Sequence, residues 1–156
     1  MARTAVVIIA SSRAAAGVYP DRTGPLIRTW LLERDFTVTG PVVVTDGPEV
    51  GAALQEAIGA DLVLTSGGTG ISPTDSTPEE TAPLLDLQIP GLAAAIRAQG
   101  SVQVPTAVLS RGLAGVAGQT LIVNLPGSTG GVRDGLAVLD RVLDHALDQI
   151  RGGDHR

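Results

Sequence analysis

Apolar residues gather along this chain in short runs that alternate with helical patterns. Thr4–Ala10 and Val38–Thr45 are rich in β-branched residues and read as strands, and Leu62–Thr65, Thr106–Leu109 and Thr120–Asn124 read the same way. Between them, Pro25–Glu33 and Pro48–Ile58 are helical, the second with Val50, Leu54 and Ile58 on one face. Pro78–Leu85 and Leu92–Gln99 predict two short helices, the first weakened by Pro83, which has no N–H to donate. Val132–Ile150 predicts one long helix, because Val132, Leu136, Leu139, Leu143, Ala146 and Ile150 recur at three and four residues. Short hydrophobic strands with helices between them predict an α/β domain whose mostly parallel sheet is covered on both faces. The pattern is read as a single domain over residues 1–150, followed by a frayed tail, Arg151–Arg156.

Composition narrows the picture. Hydrophobic residues make up 44% of the chain but aromatics only 2%, so the core must be built from Ala, Val, Leu and Ile. No apolar run approaches the ~20 residues of a membrane span, and the first residues lack a signal-peptide layout, so a cytoplasmic protein is expected. The chain has no cysteine, which excludes disulfides, thiol chemistry and zinc–cysteine sites. A net charge of −5 argues against nonspecific nucleic-acid binding. All 11 cations are arginines; without lysine there is neither Schiff-base chemistry nor a Walker A site.

The most informative stretch follows the buried run Leu62-Val63-Leu64. Thr65-Ser66-Gly67-Gly68-Thr69-Gly70 places three glycines in four positions, with Asp75 five residues on, followed by Thr77-Pro78-Glu79-Glu80. Glycines at a strand end let the backbone bend sharply and bring its N–H groups close to a bound group. A strand–turn–helix edge of this kind is where open α/β sheets bind phosphorylated ligands; the plain alternative is a tight turn. Thr77, Pro78 and Glu80 fit a capping box with Thr77 at the N-cap. Asp75 is not needed to close that helix and is placed to bind Mg²⁺, unless it is a solvated loop aspartate.

Asp46, in Thr45-Asp46-Gly47-Pro48-Glu49, divides evenly between a helix cap and a functional ligand. A parallel sheet would put it on the same edge as Asp75, since both follow strand C-termini. Asn124-Leu125-Pro126-Gly127-Ser128-Thr129-Gly130-Gly131 is a second glycine-rich passage into a helix. Ser128 or Thr129 would cap that helix, and the same N–H groups would hold an anion. Ser11-Ser12-Arg13 ends the first strand, with Arg13 a phosphate partner or a solvated charge, and Asp21 or Thr23 a cap for the next helix. His145 and His155 are assigned no role.

In this order, these passages strongly resemble the molybdopterin adenylyltransferase family (MogA/MoaB, including the G domains of gephyrin). The resemblance runs from Ser12-Arg13 and Tyr19-Pro20-Asp21-Arg22-Thr23-Gly24-Pro25, through Ser66–Gly70 and Asp75-x-Thr77-Pro78-Glu79, to Leu109-Ser110-Arg111 and Asn124-Leu125-Pro126-Gly127-Ser128. It implies a three-layer α/β/α domain, usually a homotrimer, that joins molybdopterin to AMP from Mg-ATP, releases pyrophosphate and hands the product to a molybdopterin molybdotransferase. By the same resemblance Asp46 and Asp75 match the family's essential aspartates and would hold Mg²⁺. Ser12, Arg13, Thr65, Ser66, Gly67, Gly68, Thr69, Gly70, Asn124, Pro126, Gly127 and Ser128 match its ligand-binding segments. Ser12 stands where many members carry aspartate, and Thr74 precedes Asp75 where several carry a basic residue. With no lysine present, phosphate recognition shifts to Arg13, Arg22, Arg111 or Arg133. The competing readings are a MoaB-like molybdopterin-binding trimer without useful turnover and a CinA-like nucleotide pyrophosphatase.

Overall fold

Strand β1 (Thr4–Ala10) shows how the sheet is built. Successive side chains of a strand point to opposite faces: Ala5, Val7 and Ile9 join one buried cluster, Ile8 and Ala10 another. The same division runs through β3 (Leu62–Ser66), where Leu62 and Leu64 oppose Val63. It recurs in β6 (Thr120–Leu125), where Leu121, Val123 and Leu125 oppose Ile122. Both faces of these strands are therefore dry, which is what their unbroken apolar runs demand. The structure, a computed structural model, describes residues 2–153.

The six-stranded sheet has the order β2-β1-β3-β6-β5-β4, with β2 at Thr37–Val44, β4 at Leu87–Gln88 and β5 at Ala114–Ala117. β2, β1, β3 and β6 are parallel; β5 runs antiparallel to β6 and β4 antiparallel to β5, so β5 alone of the six is reversed and the sheet is mostly parallel as expected. One face is covered by α2 (Thr23–Leu32), α5 (Pro90–Ser101), α6 (Thr129–Asp140) and α7 (Leu143–Ile150), whose Ile27, Leu31, Ile96, Leu136, Leu139 and Leu147 share the larger cluster. The other face is covered by α3 (Pro48–Ala57) through Val50 and Leu54. Three layers, α/β/α, result. A short α1 (Ser12–Ala15) and α4 (Thr77–Thr81) lie at the ends of β1 and β3. No helix among the described residues is long and apolar enough to cross a membrane.

Two expectations are corrected. Thr106–Leu109 is not a strand but part of a 3₁₀ turn, Pro105–Leu109, with Val108 and Leu109 exposed. Pro105 cannot donate to a ladder, and no neighbouring strand is there to bury the segment. The strand is instead Ala114–Ala117, fully buried between β6 and β4. Finally, Val132–Ile150 is two helices: α6 ends where the Arg141 and Val142 N–H groups turn back to Val138 and Leu139, and α7 restarts at Leu143. The restart swings Leu143 and Leu147 into the same core as Leu136 and Leu139. Pro83 acts as expected, since the α-helix stops at Thr81 and continues only as a 3₁₀ turn, Ala82–Leu84. Of the expected tail, 154–156, with His155, lies outside the described residues.

Asp61, just before β3, ties the ends of the chain together. Its carboxylate accepts the Thr4 N–H (2.8 Å) and a hydrogen bond from the Arg151 guanidinium. Burial pushes its pKa up, but the Thr4 and Arg151 hydrogen bonds outweigh this and hold it below the usual carboxylate range. A depressed folded pKa stabilises above the unfolded value of about 3.9, and that contribution is lost as pH falls through the folded pKa. Asp61→Asn is expected to lower the urea midpoint at neutral pH. The gap to the parent should close as pH falls from about 5 to about 2. A gap that stays constant across that window would contradict the assignment.

Candidate active site

Because β1, β2, β3 and β6 are parallel, their C-terminal ends share one sheet edge, and their loops meet there. The β3 loop makes the tightest approach. Gly67 and Gly68 take φ of +94° and +69°, which L side chains rarely adopt. A Cβ on Gly67 would press on the Ala10 carbonyl, and one on Gly68 would lie 3.0 Å from Asp46 Oδ1 and against Thr77 Oγ1. Gly67 N–H donates to the Leu125 carbonyl (3.1 Å), and Ser66 Oγ donates to the Pro126 carbonyl (2.7 Å) and shares a hydrogen bond with Thr23 Oγ1 (3.0 Å). The two glycine-rich passages are thereby fastened side by side.

The expected capping box does not form. The N-cap of α4 is Ser76, and Thr77, inside the helix, donates through Oγ1 to the Gly67 carbonyl (3.0 Å) while its N–H reaches the Gly68 carbonyl (3.1 Å). The threonine that looked like a cap anchors the glycine loop. Nor does Asp46 cap α3, whose N-cap is Gly47. Asp46 Oδ2 accepts from Ser12 Oγ (3.1 Å), and Ser12 Oγ accepts from the Asp46 N–H (3.2 Å). Ser12 thus orients Asp46. Asp75 Oδ2 accepts the Ser72 N–H (3.0 Å) and lies 2.8 Å from where a Gly70 Cβ would be. Each aspartate keeps Oδ1 without a hydrogen-bond partner among the described residues.

These loops enclose a cleft of two lobes. The larger, about 700 Å³, is walled by Ser12, Arg13, Tyr19, Arg22, Asp46, Ser66, Gly67 and Thr74, among others. The second, about 400 Å³, has apolar walls from Ile96, Val104, Ala107, Leu109 and Pro126, with Thr69, Gly70, Arg97, Ser110 and Asp134 between them. Gly68, Asp75, Gly127 and Ser128 border both and form the rim where the lobes meet. Ser128 does cap α6, its Oγ accepting the Gly131 N–H (3.1 Å). The first-turn N–H groups of Thr129 and Gly130 have no intrahelical partner and remain for an anion.

The structure brings most of the expected residues into this cleft, but not all. Thr65 and Asn124 are buried beneath it: Asn124 Nδ2 donates to Thr65 Oγ1 (3.0 Å) and Thr81 Oγ1 (3.2 Å), and its Oδ1 accepts the Leu113 N–H (3.0 Å). This network joins β3, β6, α4 and the start of β5. Asn124→Ala would remove the shared partner of two buried hydroxyls and of the part-buried Leu113 N–H, and is expected to cost about 2–4 kcal/mol, seen as a lower urea midpoint. Unchanged stability with weaker substrate binding would instead mark Asn124 as a ligand contact.

The arginines divide likewise. Arg13 and Arg22 border the larger lobe, Arg13 with its guanidinium 5.9 Å from the Tyr19 ring centroid. Arg133 faces a hollow between α2 and α6 that adjoins the larger lobe at Arg22 and Thr129, and Arg111 is engaged behind the glycine loop. His145 is exposed on α7, outside the cleft. Sequence reasoning named one side of the second lobe, Gly68–Gly70 and Pro126–Ser128, but missed its opposite walls. These come from α5, the 3₁₀ turn and α6, which meet only through packing, so no local motif announces them.

Known proteins locate this architecture. Residues 6–145 match the family described as a probable molybdopterin binding domain. The fold is similar to that of the molybdopterin biosynthesis Mog protein from Mycobacterium ulcerans, with 64% identity and a TM-score of 0.92 over 96% of this chain and 99% of that one. The chain is 40% identical over 152 residues to the molybdopterin adenylyltransferase of Pyrococcus furiosus, covering 93% of this chain and 89% of the relative. It is also 40% identical over 154 residues to a molybdenum cofactor biosynthesis bifunctional protein of Synechococcus elongatus, covering 97% of this chain but 48% of that protein. The chain thus spans about half the length of the bifunctional relatives it matches.

Proposed function

We propose, since this chain belongs to the molybdopterin-binding domain family, that it transfers AMP from Mg-ATP to the terminal phosphate of molybdopterin and releases pyrophosphate, in molybdenum cofactor biosynthesis. The observation that carries this reading is the shared rim: two lobes of one cleft meet at Gly68, Asp75, Gly127 and Ser128. Each lobe takes the heterocyclic part of one substrate, and the reacting phosphates meet between them.

The chemistry asks for little beyond alignment and charge control. A phosphate oxygen of molybdopterin attacks the α-phosphorus of ATP, a new P–O bond forms, and the bond to the bridging oxygen breaks with pyrophosphate leaving. The attacking phosphate is already ionised at neutral pH, so no strong base is required. That suits a site without cysteine, lysine or a histidine in its walls. Repulsion between the two anions is the obstacle. Arg13, Arg22 and the N–H groups at the start of α6 offset it. Asp46 and Asp75, each with one open oxygen, suit a Mg²⁺ ion completed by substrate phosphates. Mg²⁺ is usually held by one or two carboxylates rather than by an all-protein cage. Among the described residues no group of three or more acidic, histidine or cysteine side chains gathers to enclose an ion. Once bound, the ion supplies charge neutralisation on the triphosphate and the leaving pyrophosphate.

The two-lobe reading is tested by titrating a non-transferable ATP analogue, with a methylene bridge between the α- and β-phosphorus atoms, into protein saturated with molybdopterin. Each chain should hold one of each molecule at once. Mutual exclusion would mean that both ligands compete for one lobe.

A further inference from the structure

We infer that Arg111 is a positioning residue, whose guanidinium grips the back of the loop that presents Asp75 to the cleft. The inference rests on the role proposed for Asp75. Arg111 Nε donates to the Gly70 carbonyl (2.9 Å) and Nη2 to the Asp75 carbonyl (3.1 Å), so one planar group holds both ends of the 70–75 loop. Nη1 pairs with Glu79 Oε2 (2.6 Å) at the start of α4. Its own N–H donates to the Thr69 carbonyl (2.7 Å), and the neighbouring Ser110 Oγ meets Thr69 Oγ1 (3.2 Å). The 3₁₀ turn that sequence reading took for a strand delivers this pair of residues to the loop.

The loop needs such a grip. Its middle, Ile71 to Thr74, is exposed and contributes nothing to either hydrophobic cluster. Inside the loop the cross-bonds are Asp75 N–H to the Ser72 carbonyl and Ser72 N–H to Asp75 Oδ2, both 3.0 Å. A shape kept by so few bonds samples open states easily. The charge arrangement matters as well. Arg111 meets the backbone of Asp75, while Glu79 takes the ion pair, so the Asp75 carboxylate stays open toward the rim instead of closing on the guanidinium. A planar five-donor fork reaches two carbonyls and a carboxylate together, whereas a lysine ammonium on its flexible stem does not hold that geometry.

The test compares Arg111→Met, Arg111→Lys, Glu79→Gln and Asp75→Asn by steady-state kinetics with ATP and molybdopterin, amide hydrogen exchange and thermal unfolding. Arg111→Met should unfold near the parent temperature, because its guanidinium is half-exposed and outside the core. Its Ser72 and Asp75 amides should exchange at least about tenfold faster, and kcat should fall about 10–100-fold with KM for molybdopterin within about twofold. Arg111→Lys should recover only part of that loss, and Glu79→Gln, which leaves both carbonyl bonds in place but frees the guanidinium to draw on the Asp75 carboxylate, should keep parental exchange at Ser72 and Asp75 while lowering kcat by less than Arg111→Met does. Unchanged exchange at Ser72 and Asp75 would overturn the inference, as would a parental kcat in Arg111→Met beside an inactive Asp75→Asn. A fully active Asp75→Asn would overturn the underlying reading of the site instead.

Discussion

Asp75→Asn is expected to cut pterin-dependent pyrophosphate release by about 100–1,000-fold while leaving the fold intact. Among the described residues the side chain makes one hydrogen bond, accepting the Ser72 N–H, and it sits on a rim whose loop is otherwise exposed, so little stability rides on it. Asparagine keeps an oxygen for that N–H but loses the charge and turns its second oxygen into a donor. If Asp75 helps to hold Mg²⁺ against the reacting phosphates, as proposed, one lost charge and one wrongly directed donor would weaken that hold and raise the barrier by about 3–4 kcal/mol. Asp46→Asn follows the same logic from the other side of Gly68. Circular dichroism and thermal unfolding should match the parent for both variants. An Asp75→Asn enzyme with more than about a tenth of parental turnover would place the charge control elsewhere in the cleft.

Gly67→Ala is expected to be the most destabilising conservative change at the site, by about 3–5 kcal/mol, or on the order of 10 °C in melting temperature. Two costs combine. At φ +94° an alanine is strained, and its Cβ would be driven into the Ala10 carbonyl, which belongs to the buried strand β1 and cannot rotate aside. Gly118 separates these effects: it also has positive φ (+61°), but a Cβ there would meet nothing within 4 Å. Gly118→Ala should therefore cost only about 1–2 kcal/mol. Equal losses in the two variants would show that backbone strain alone governs Gly67 and that the close approach to β1 is unimportant.

The fold was legible wherever burial on both faces forces a continuous apolar run, as in β1, β3 and β6. It was not legible where small residues pack closely. Ala114–Ala117 carries no strand signal because a Cβ on Gly115 would press on the Leu87 carbonyl and come within 2.8 Å of Leu85 Cδ1, a spacing that admits no side chain. The break between α6 and α7 has neither proline nor glycine to mark it. It is set by the docking of Leu143 and Leu147 into the core, a tertiary cause invisible to periodicity.

The site divides in the same way. That Asp46 and Asp75 share one edge follows from a parallel sheet and the position of each just past a strand, both readable in the chain. Which hydroxyl or amide faces the cleft is not readable. Thr65 and Asn124 sit in the right segments but point into a buried network, and Thr77 anchors a loop where its neighbours imitate a helix cap. Arg111 looked available for phosphate until its partners were seen.

Pyrophosphate released from Mg-ATP, followed together with adenylylated pterin in the presence and absence of molybdopterin, tests the central claim most directly. Release that requires molybdopterin and matches the adenylylated product mole for mole is the predicted result. Tight molybdopterin binding without release would leave a binding protein, and release without pterin would make the cleft a nucleotide hydrolase; either would contradict the transferase account.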